Sequence, residues 1–164
     1  MITNCKIGKN TKIINLDQVN LYDCEIGENC LIGPFVEIQK NVKIGNRTRI
    51  SSHTFICEGV EIGDDCFISH LCAFTNDLFK ENKENWILRK TKVGNNVRIG
   101  SGVTLLPVNI GNSAIIGAGS VVTKDVPNNA IAYGNPAKII YKKDIKETYS
   151  QEDFDEYIKN ADFI

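Results

Sequence analysis

The sequence predicts an all-β fold: a single-stranded parallel β-helix, triangular in section, with an extruded loop and a C-terminal α-helix. Three observations predict it. Aliphatic residues recur at every sixth place, from Ile32 through Ile38, Ile44, Ile50, Ile56 and Ile62 to Ile68, without a slip. Glycine often follows the aliphatic, and a small residue such as Thr11, Val36, Thr48, Cys66 or Ser120 stands four places after it. The pattern then breaks after Asn76–Asp77 into a polar stretch that carries the single tryptophan, Trp86.

A period of six fits neither a helix, at 3.6, nor a half-buried strand, at 2. It fits short flat strands joined by turns, each sending one aliphatic side chain inward. Three such hexads close a coil of eighteen residues, and coils stack as parallel strands about 4.8 Å apart. Before the unbroken run, Ile7, Ile13 and Val19 share the spacing, and Ile26 follows after a one-residue insertion. After the break the phase resumes with Val93, Ile99 and Leu105, loses one residue in LLPVN, and continues with Ile110, Ile116 and Val122. The solenoid is expected over residues 1–140, with the loop excursion at 77–92. Residues 141–164 are expected to form a C-terminal helical segment: Ser150 can cap it, with Glu152 and Asp153 in its first turn, and Phe154, Tyr157, Ile158 and Ala161 follow helical spacing. Its expected role is to cover the open end of the solenoid, with cofactor contact second.

The formal net charge of -1 and pI of about 6.1 are a poor match to a nucleic-acid binder, which shows a basic field. No apolar run approaches the length that crosses a bilayer, and MITNCKIGKN carries no apolar signal core, so a cytoplasmic protein is expected. Six cysteines are present without any C-x-x-C. Cys5, Cys30, Cys66 and Cys72 fall at one equivalent, inward-pointing place in the hexad. They are read as buried free thiols in a reducing compartment, not as disulfides or a metal site.

Residues one coil apart should stack on one face. Lys40, Glu58 and Asn76 are each the third residue of a hexad, eighteen residues apart, and should form a column. His70 lies in the hexad before Asn76. His53 stands seventeen residues before His70, one coil earlier and one place off. This gathers Glu58, His70, Asn76 and Asp77 over two adjacent coils. The plain alternative for any one of them is a solvated polar face. Against it stand both histidines of the chain in this neighbourhood and an arm, DLFKENKENWILRKTK, thrown out immediately afterwards with Trp86 and the basic Arg89, Lys90 and Lys92. Loops on rigid solenoids are where binding concentrates.

With its in-phase hexads over roughly residues 1–140, the sequence resembles the hexapeptide-repeat acyltransferases, which implies a left-handed coil. FTND (Phe74–Asp77), followed by an excursion with Trp86 and then Thr91, is similar to the N-acetyltransferases that acylate the 3-amino group of nucleotide-linked sugars. dTDP-3-amino-3,6-dideoxyhexoses stand ahead of UDP-linked amino sugars. The segment GAGSVVTKDVPNNAIAYGNPAK (residues 117–138) is similar to the C-terminal coils that line the coenzyme A groove of the superfamily. The resemblance implies acetyl-CoA as cosubstrate, no metal, and a homotrimer with each site between two subunits. The product is expected to enter a surface polysaccharide such as an O-antigen. Carried over by position, Glu58, Asn76 and Asp77 contact the sugar and its amine, with His70 near the same pocket. His53, Lys40, Trp86 and Arg89 are further substrate-binding candidates. Gly100, Ser101 and Ala118 would let pantetheine approach the backbone, and Lys124, Lys138, Lys142 and Lys143 are candidates for the adenosine phosphates. Turn glycines and surface lysines are the plain alternative for each.

The chemistry sets modest demands. A sugar amine ionises near or below about 8, so a neutral, nucleophilic fraction exists at pH 7. The oxyanion needs a donor, either a backbone N–H or the Asn76 amide. Glu58 or Asp77 can hold the ammonium, His70 is the other candidate base, and the departing thiolate can itself take the proton. The rival enzyme is a sugar or serine O-acetyltransferase of the same fold, in which a histidine deprotonates a hydroxyl. A non-enzymatic scaffold is the rival of another class. A γ-type carbonic anhydrase needs three histidine ligands, and the chain has two histidines.

Overall fold

The structure, a computed structural model, describes residues 1–80 and 83–141. Parallel coils stack into a β-solenoid of about 7 turns with three walls. The first wall holds the strands Ile2–Thr3, Asn20–Tyr22, Glu37–Ile38, Phe55–Ile56, Ala73–Phe74, Thr104–Leu105 and Val121–Val122. The second runs through Lys6–Ile7, Glu25–Ile26, Lys43–Ile44, Val60–Ile62, Thr91–Val93 and Asn109–Ile110. The third contains Lys12–Ile13, Leu31–Ile32, Arg49–Ile50, Phe67–Ile68, Arg98–Ile99, Ile115–Ile116 and Ala130–Tyr133, closed by the antiparallel strand Lys138–Tyr141. The chain turns the first corner from first wall to second, the second corner from second to third, and the third corner back to the first.

The hexad aliphatics fill the interior. Ile32, Ile38, Ile50, Ile56, Ile68, Phe74, Ile99 and Leu105 are fully buried. The small residue two places before each of them turns inward at a corner, and when it is polar it bonds to the next coil. Thr48 Oγ1 donates to Gly63 O at 2.9 Å and accepts from Cys66 N at 3.0 Å; Cys66 Sγ in turn reaches Gly94 O at 3.0 Å. A buried hydroxyl or thiol is thus satisfied by the backbone of its neighbour coil. The second corner adds a ladder of Asn and Asp side chains. Asn46, Asp64, Asn95, Asn112 and Asn128 each accept, through Oδ1, from a backbone N–H of the coil before.

All six cysteines are free: Cys24, Cys30, Cys57, Cys66 and Cys72 are buried, while Cys5 is half-buried. Cys5 sits in the first coil, where Cys24 Sγ meets its sulfur at 3.5 Å.

Three details differ from the sequence expectation. Leu21, not Val19, takes the inward place of its strand, pairing with Ile2 and Ile38. A 3-10 turn at Leu16–Gln18 absorbs two extra residues and the next turn is one residue shorter, which the single insertion before Ile26 had summed. The arm ends earlier than residue 92, because Thr91 and Lys92 pair with Val60 and Glu61 and so already belong to the second wall. The expected C-terminal helix, with Lys142 and Lys143 before it, lies outside the described residues.

Candidate functional site

Lys40, Glu58 and Asn76 form the column expected from their eighteen-residue spacing. Glu37 and Ile38 pair with Phe55 and Ile56, and Phe55 with Ala73, so Lys40, Glu58 and Asn76 rise one above another on the first corner. Asn76 Nδ2 donates to Glu58 O at 3.2 Å, and Lys40 Nζ lies 3.6 Å from Glu58 Oε2. Asn41 Nδ2 donates to Glu58 Oε1 at 2.9 Å, and Glu58 N donates to Gln39 Oε1 at 3.2 Å. The Glu58 carboxylate is therefore held by Lys40 and Asn41, which makes it a brace of the column.

The arm leaves the corner directly above. Asp77 Oδ1 accepts from Phe79 N at 2.6 Å, and its Oδ2 accepts from the Trp86 indole N–H at 3.1 Å. One carboxylate so closes both ends of the excursion. Arg89 N returns to Asn76 O at 3.2 Å, and its side chain is half-buried. Leu88 packs over Gly59, whose φ is +86° and where a Cβ would meet the Leu88 side chain at 3.2 Å. Glycine at this place fits both the left-handed backbone and the seat of the arm.

The histidines do not join this group. His70 lies on the third corner, between Phe67–Ile68 and Ala73–Phe74, so the width of the first wall separates it from Asn76. Consecutive hexads of one coil occupy consecutive corners, which the reading of Glu58, His70, Asn76 and Asp77 as one cluster overlooked. His70 Nδ1 lies 2.8 Å from Ser52 Oγ, the residue one coil below. His53, at φ +60°, stacks on Phe35 with ring centroids 4.7 Å apart.

The third corner brings His70 together with a different part of the expected set. Gly100, Ser101 and Gly102 lie on the coil above it, and Gly117, Ala118 and Gly119 on the next. Gly102 N donates to His70 O at 2.8 Å, and Gly119 N to Ser101 O at 2.8 Å. Ser101 Oγ lies 2.7 Å from Ser69 Oγ. A Cβ at Gly119 would meet nothing within 4 Å, and one at Gly102 only Gly119 Cα at 4.0 Å. The coils above His70 thus present bare backbone to solvent at Gly102 and Gly119, while Gly100 and Gly117 pack against the next coil. Farther toward the C-terminal end, exposed Lys124 and Lys138 line a cavity of about 270 Å³ with Val122, Ala132 and Ala137.

A larger hollow, about 1150 Å³, runs elsewhere, along the outer face of the second wall. There Lys6, Glu25, Lys43, Glu61 and Lys92 alternate in sign. Lys6 Nζ lies 3.0 Å from Glu25 Oε1, and its hydrogen bond and charge hold Glu25 below the usual carboxylate range. Lys92 Nζ lies 3.8 Å from Glu61 Oε2. The charges of this wall answer one another, which suits register more than ligand binding. Among the described residues, no group of three or more His, Cys, Asp or Glu is placed to hold a metal ion, and no helix is long and apolar enough to cross a membrane.

Sequence reasoning missed Asn41, Gln39 and Ser52. Gln39 and Asn41 flank Lys40 in the chain and so reach Glu58 from the lap below, and Ser52 lies one lap of eighteen residues below His70.

Comparison with known proteins agrees with this architecture. Residues 23–58 match the family described as bacterial transferase hexapeptide (six repeats), and residues 90–124 the hexapeptide repeat of succinyl-transferase. The bifunctional protein GlmU of Clostridium botulinum (strain Kyoto / Type A2) is 30% identical over 155 residues, covering 82% of this chain and 34% of GlmU. The chain thus spans about a third of that relative's length. A crystal structure of a point variant of AntD, an N-acyltransferase from Bacillus cereus in complex with dTDP and coenzyme A, superposes with TM-score 0.74. It has 24% identity and covers 97% of this chain and 93% of that one, a likeness of fold. A galactoside acetyltransferase in complex with coenzyme A superposes with TM-score 0.66 and 32% identity, covering 77% of this chain and 70% of the other. With its sixfold rungs on both sides of the arm and this degree of identity, the chain belongs to the hexapeptide-repeat transferase family.

Proposed function

We propose that this protein transfers the acyl group of an acyl-coenzyme A, with acetyl-CoA as the first candidate, to the amine of a nucleotide-linked amino sugar. We further propose that it does so at sites formed between neighbouring copies. The observation that carries the reading is the split of the polar residues between two corners of one wall. Asn76 and Asp77 stand on the first corner under the arm, and His70 with the bare coils of Gly100–Gly102 and Gly117–Gly119 stands on the third. If three parallel prisms turn their first walls toward a common axis, the first corner of each meets the third corner of the next. Above Glu37 the first wall suits this: its outward residues Phe55, Ala73, Thr104 and Val121 are half-buried, apolar or small, and uncharged. The corners also carry exposed apolar surface, with Phe79 of the arm 90% and Leu71 of the third corner 63% exposed.

The sugar lies under the arm, its amine beside Asp77. The neutral amine attacks the thioester carbonyl, the C–N bond forms, and the Asn76 amide donates to the oxyanion. Collapse breaks the C–S bond. The proton lost by nitrogen passes to His70 of the neighbouring copy or to the departing thiolate. The thioester arm lies along the bare third-corner backbone, and Lys124 and Lys138 face the phosphates. The GAGSVVTKDVPNNAIAYGNPAK segment supports this end of the groove, and the galactoside acetyltransferase, bound to coenzyme A, supports the acyl donor. A dTDP-3-amino-3,6-dideoxyhexose is the favoured acceptor, with a surface polysaccharide as its destination.

One observation favours a second reading. The imidazole of His70 is held at Nδ1, the arrangement a hydroxyl acceptor needs, and this fits an O-acetyltransferase. A thiol-release assay with acetyl-CoA against dTDP- and UDP-linked amino sugars and a panel of galactosides separates the two. Turnover confined to amino sugars is expected; turnover confined to hydroxyl acceptors replaces the reading with the second, and none with any acceptor removes both.

A further inference from the structure

We infer that Ser52 is the positioning residue of His70 and sets which imidazole nitrogen is free to take a proton. The inference rests on the proposed role of His70 at the third corner. Ser52 stands one coil below His70, and its Oγ lies 2.8 Å from Nδ1. Among the described residues none hydrogen-bonds to Nε2, and His70 is exposed. The contact therefore fixes one end of the ring and leaves the other to the groove.

The rungs around the pair are rigid. His70 O accepts from Gly102 N at 2.8 Å and Leu71 N donates to Ser52 O at 3.1 Å, so the backbone of both residues is locked in the coil ladder. The Ser52 side chain is short and half-buried, with little freedom to leave the ring. The other histidine, His53, is directed elsewhere, onto Phe35. A serine hydroxyl both donates and accepts, so it can serve either tautomer. Only when it accepts from Nδ1–H does Nε2 keep its lone pair for an incoming proton. After transfer, imidazolium Nδ1–H still donates to the same oxygen, and the ring needs no movement. A coil-stacked hydroxyl thus does the orienting work that a carboxylate does in hydrolytic triads.

Two measurements test this separately from the acyltransfer reading. In long-range ¹⁵N–¹H spectra the two histidines of the chain give two spin systems, assigned by His53→Gln. Wild-type His70 is expected to carry its proton on Nδ1 when neutral, and Ser52→Ala to shift it toward Nε2–H with His53 unchanged. An Nε2–H tautomer in both proteins overturns the inference without reference to activity. In the thiol-release assay with the active acceptor of the panel, Ser52→Ala is expected to lower kcat about ten-fold with little change in KM for acetyl-CoA. Ser52→Thr should restore most of it, and in a His70→Ala background Ser52→Ala should have no further effect. If His70→Ala is itself silent, the role of His70 fails; if His70→Ala impairs turnover while Ser52→Ala does not, the inference about Ser52 fails.

Discussion

Asn76 is the residue on which the most chemistry converges. Its side-chain amide nitrogen donates to Glu58 O at 3.2 Å and its backbone carbonyl accepts the returning arm through Arg89 N. Asn76→Ala is expected to lower kcat about 100-fold if the amide donates to the oxyanion, and stability by only about 1 kcal/mol for the lost bond. A turnover unchanged with folded protein would remove Asn76 from the reaction. At the same scale, burial pushes the Cys57 thiol up to about 11, and burial with the Cys5 contact pushes Cys24 up to about 12. Both folded-state values lie above the unfolded one, so the folded chain keeps protons that the unfolded chain has lost. Their stabilisation is full below pH 9 and declines as pH rises from there toward 12. Thermal unfolding between pH 8 and 11 should show the midpoint falling above pH 9, and Cys57→Ala should flatten the fall. A midpoint that does not depend on pH would contradict it.

At the scale of single elements, the hexads were legible because their physics is local. One inward aliphatic, one small corner residue and one turn repeat whatever the rest of the chain does. Leu21 was misread for Val19 because both are apolar, and only the pairing with Ile2 and Ile38 chooses between them. The column Lys40–Glu58–Asn76 was legible from the lap length alone. The place of His70 was not, because proximity in sequence suggests proximity in space, while six residues carry the chain around a corner to another edge. The arm was visible as a break in phase but not as a latch. Asp77 joins Phe79 N and the Trp86 indole, a contact that no periodicity encodes. Asp77→Ala should free the indole N–H, and the chain's single tryptophan makes this readable. Its emission is expected to shift to the red in the variant, and an unchanged spectrum would show that the latch does not hold in solution.

For the whole molecule, the three walls take different tasks. The second wall is a charge ladder that fixes coil against coil, and the third carries the chain to its closing antiparallel strand. The first, edged by the corners of Asn76 and His70 and uncharged above Glu37 at Phe55, Ala73, Thr104 and Val121, is the wall proposed to face other copies. Neither corner alone holds a complete set of groups, so the account stands on their meeting across a subunit junction. Co-assembly of inactive variants tests this most directly. Asn76→Ala and His70→Ala proteins, unfolded together and refolded, should regain activity, because junctions pairing the intact first corner of one with the intact third corner of the other form at random. About a quarter of wild-type turnover is expected from equal mixing. Mixed oligomers that stay as inactive as their parents would contradict the account.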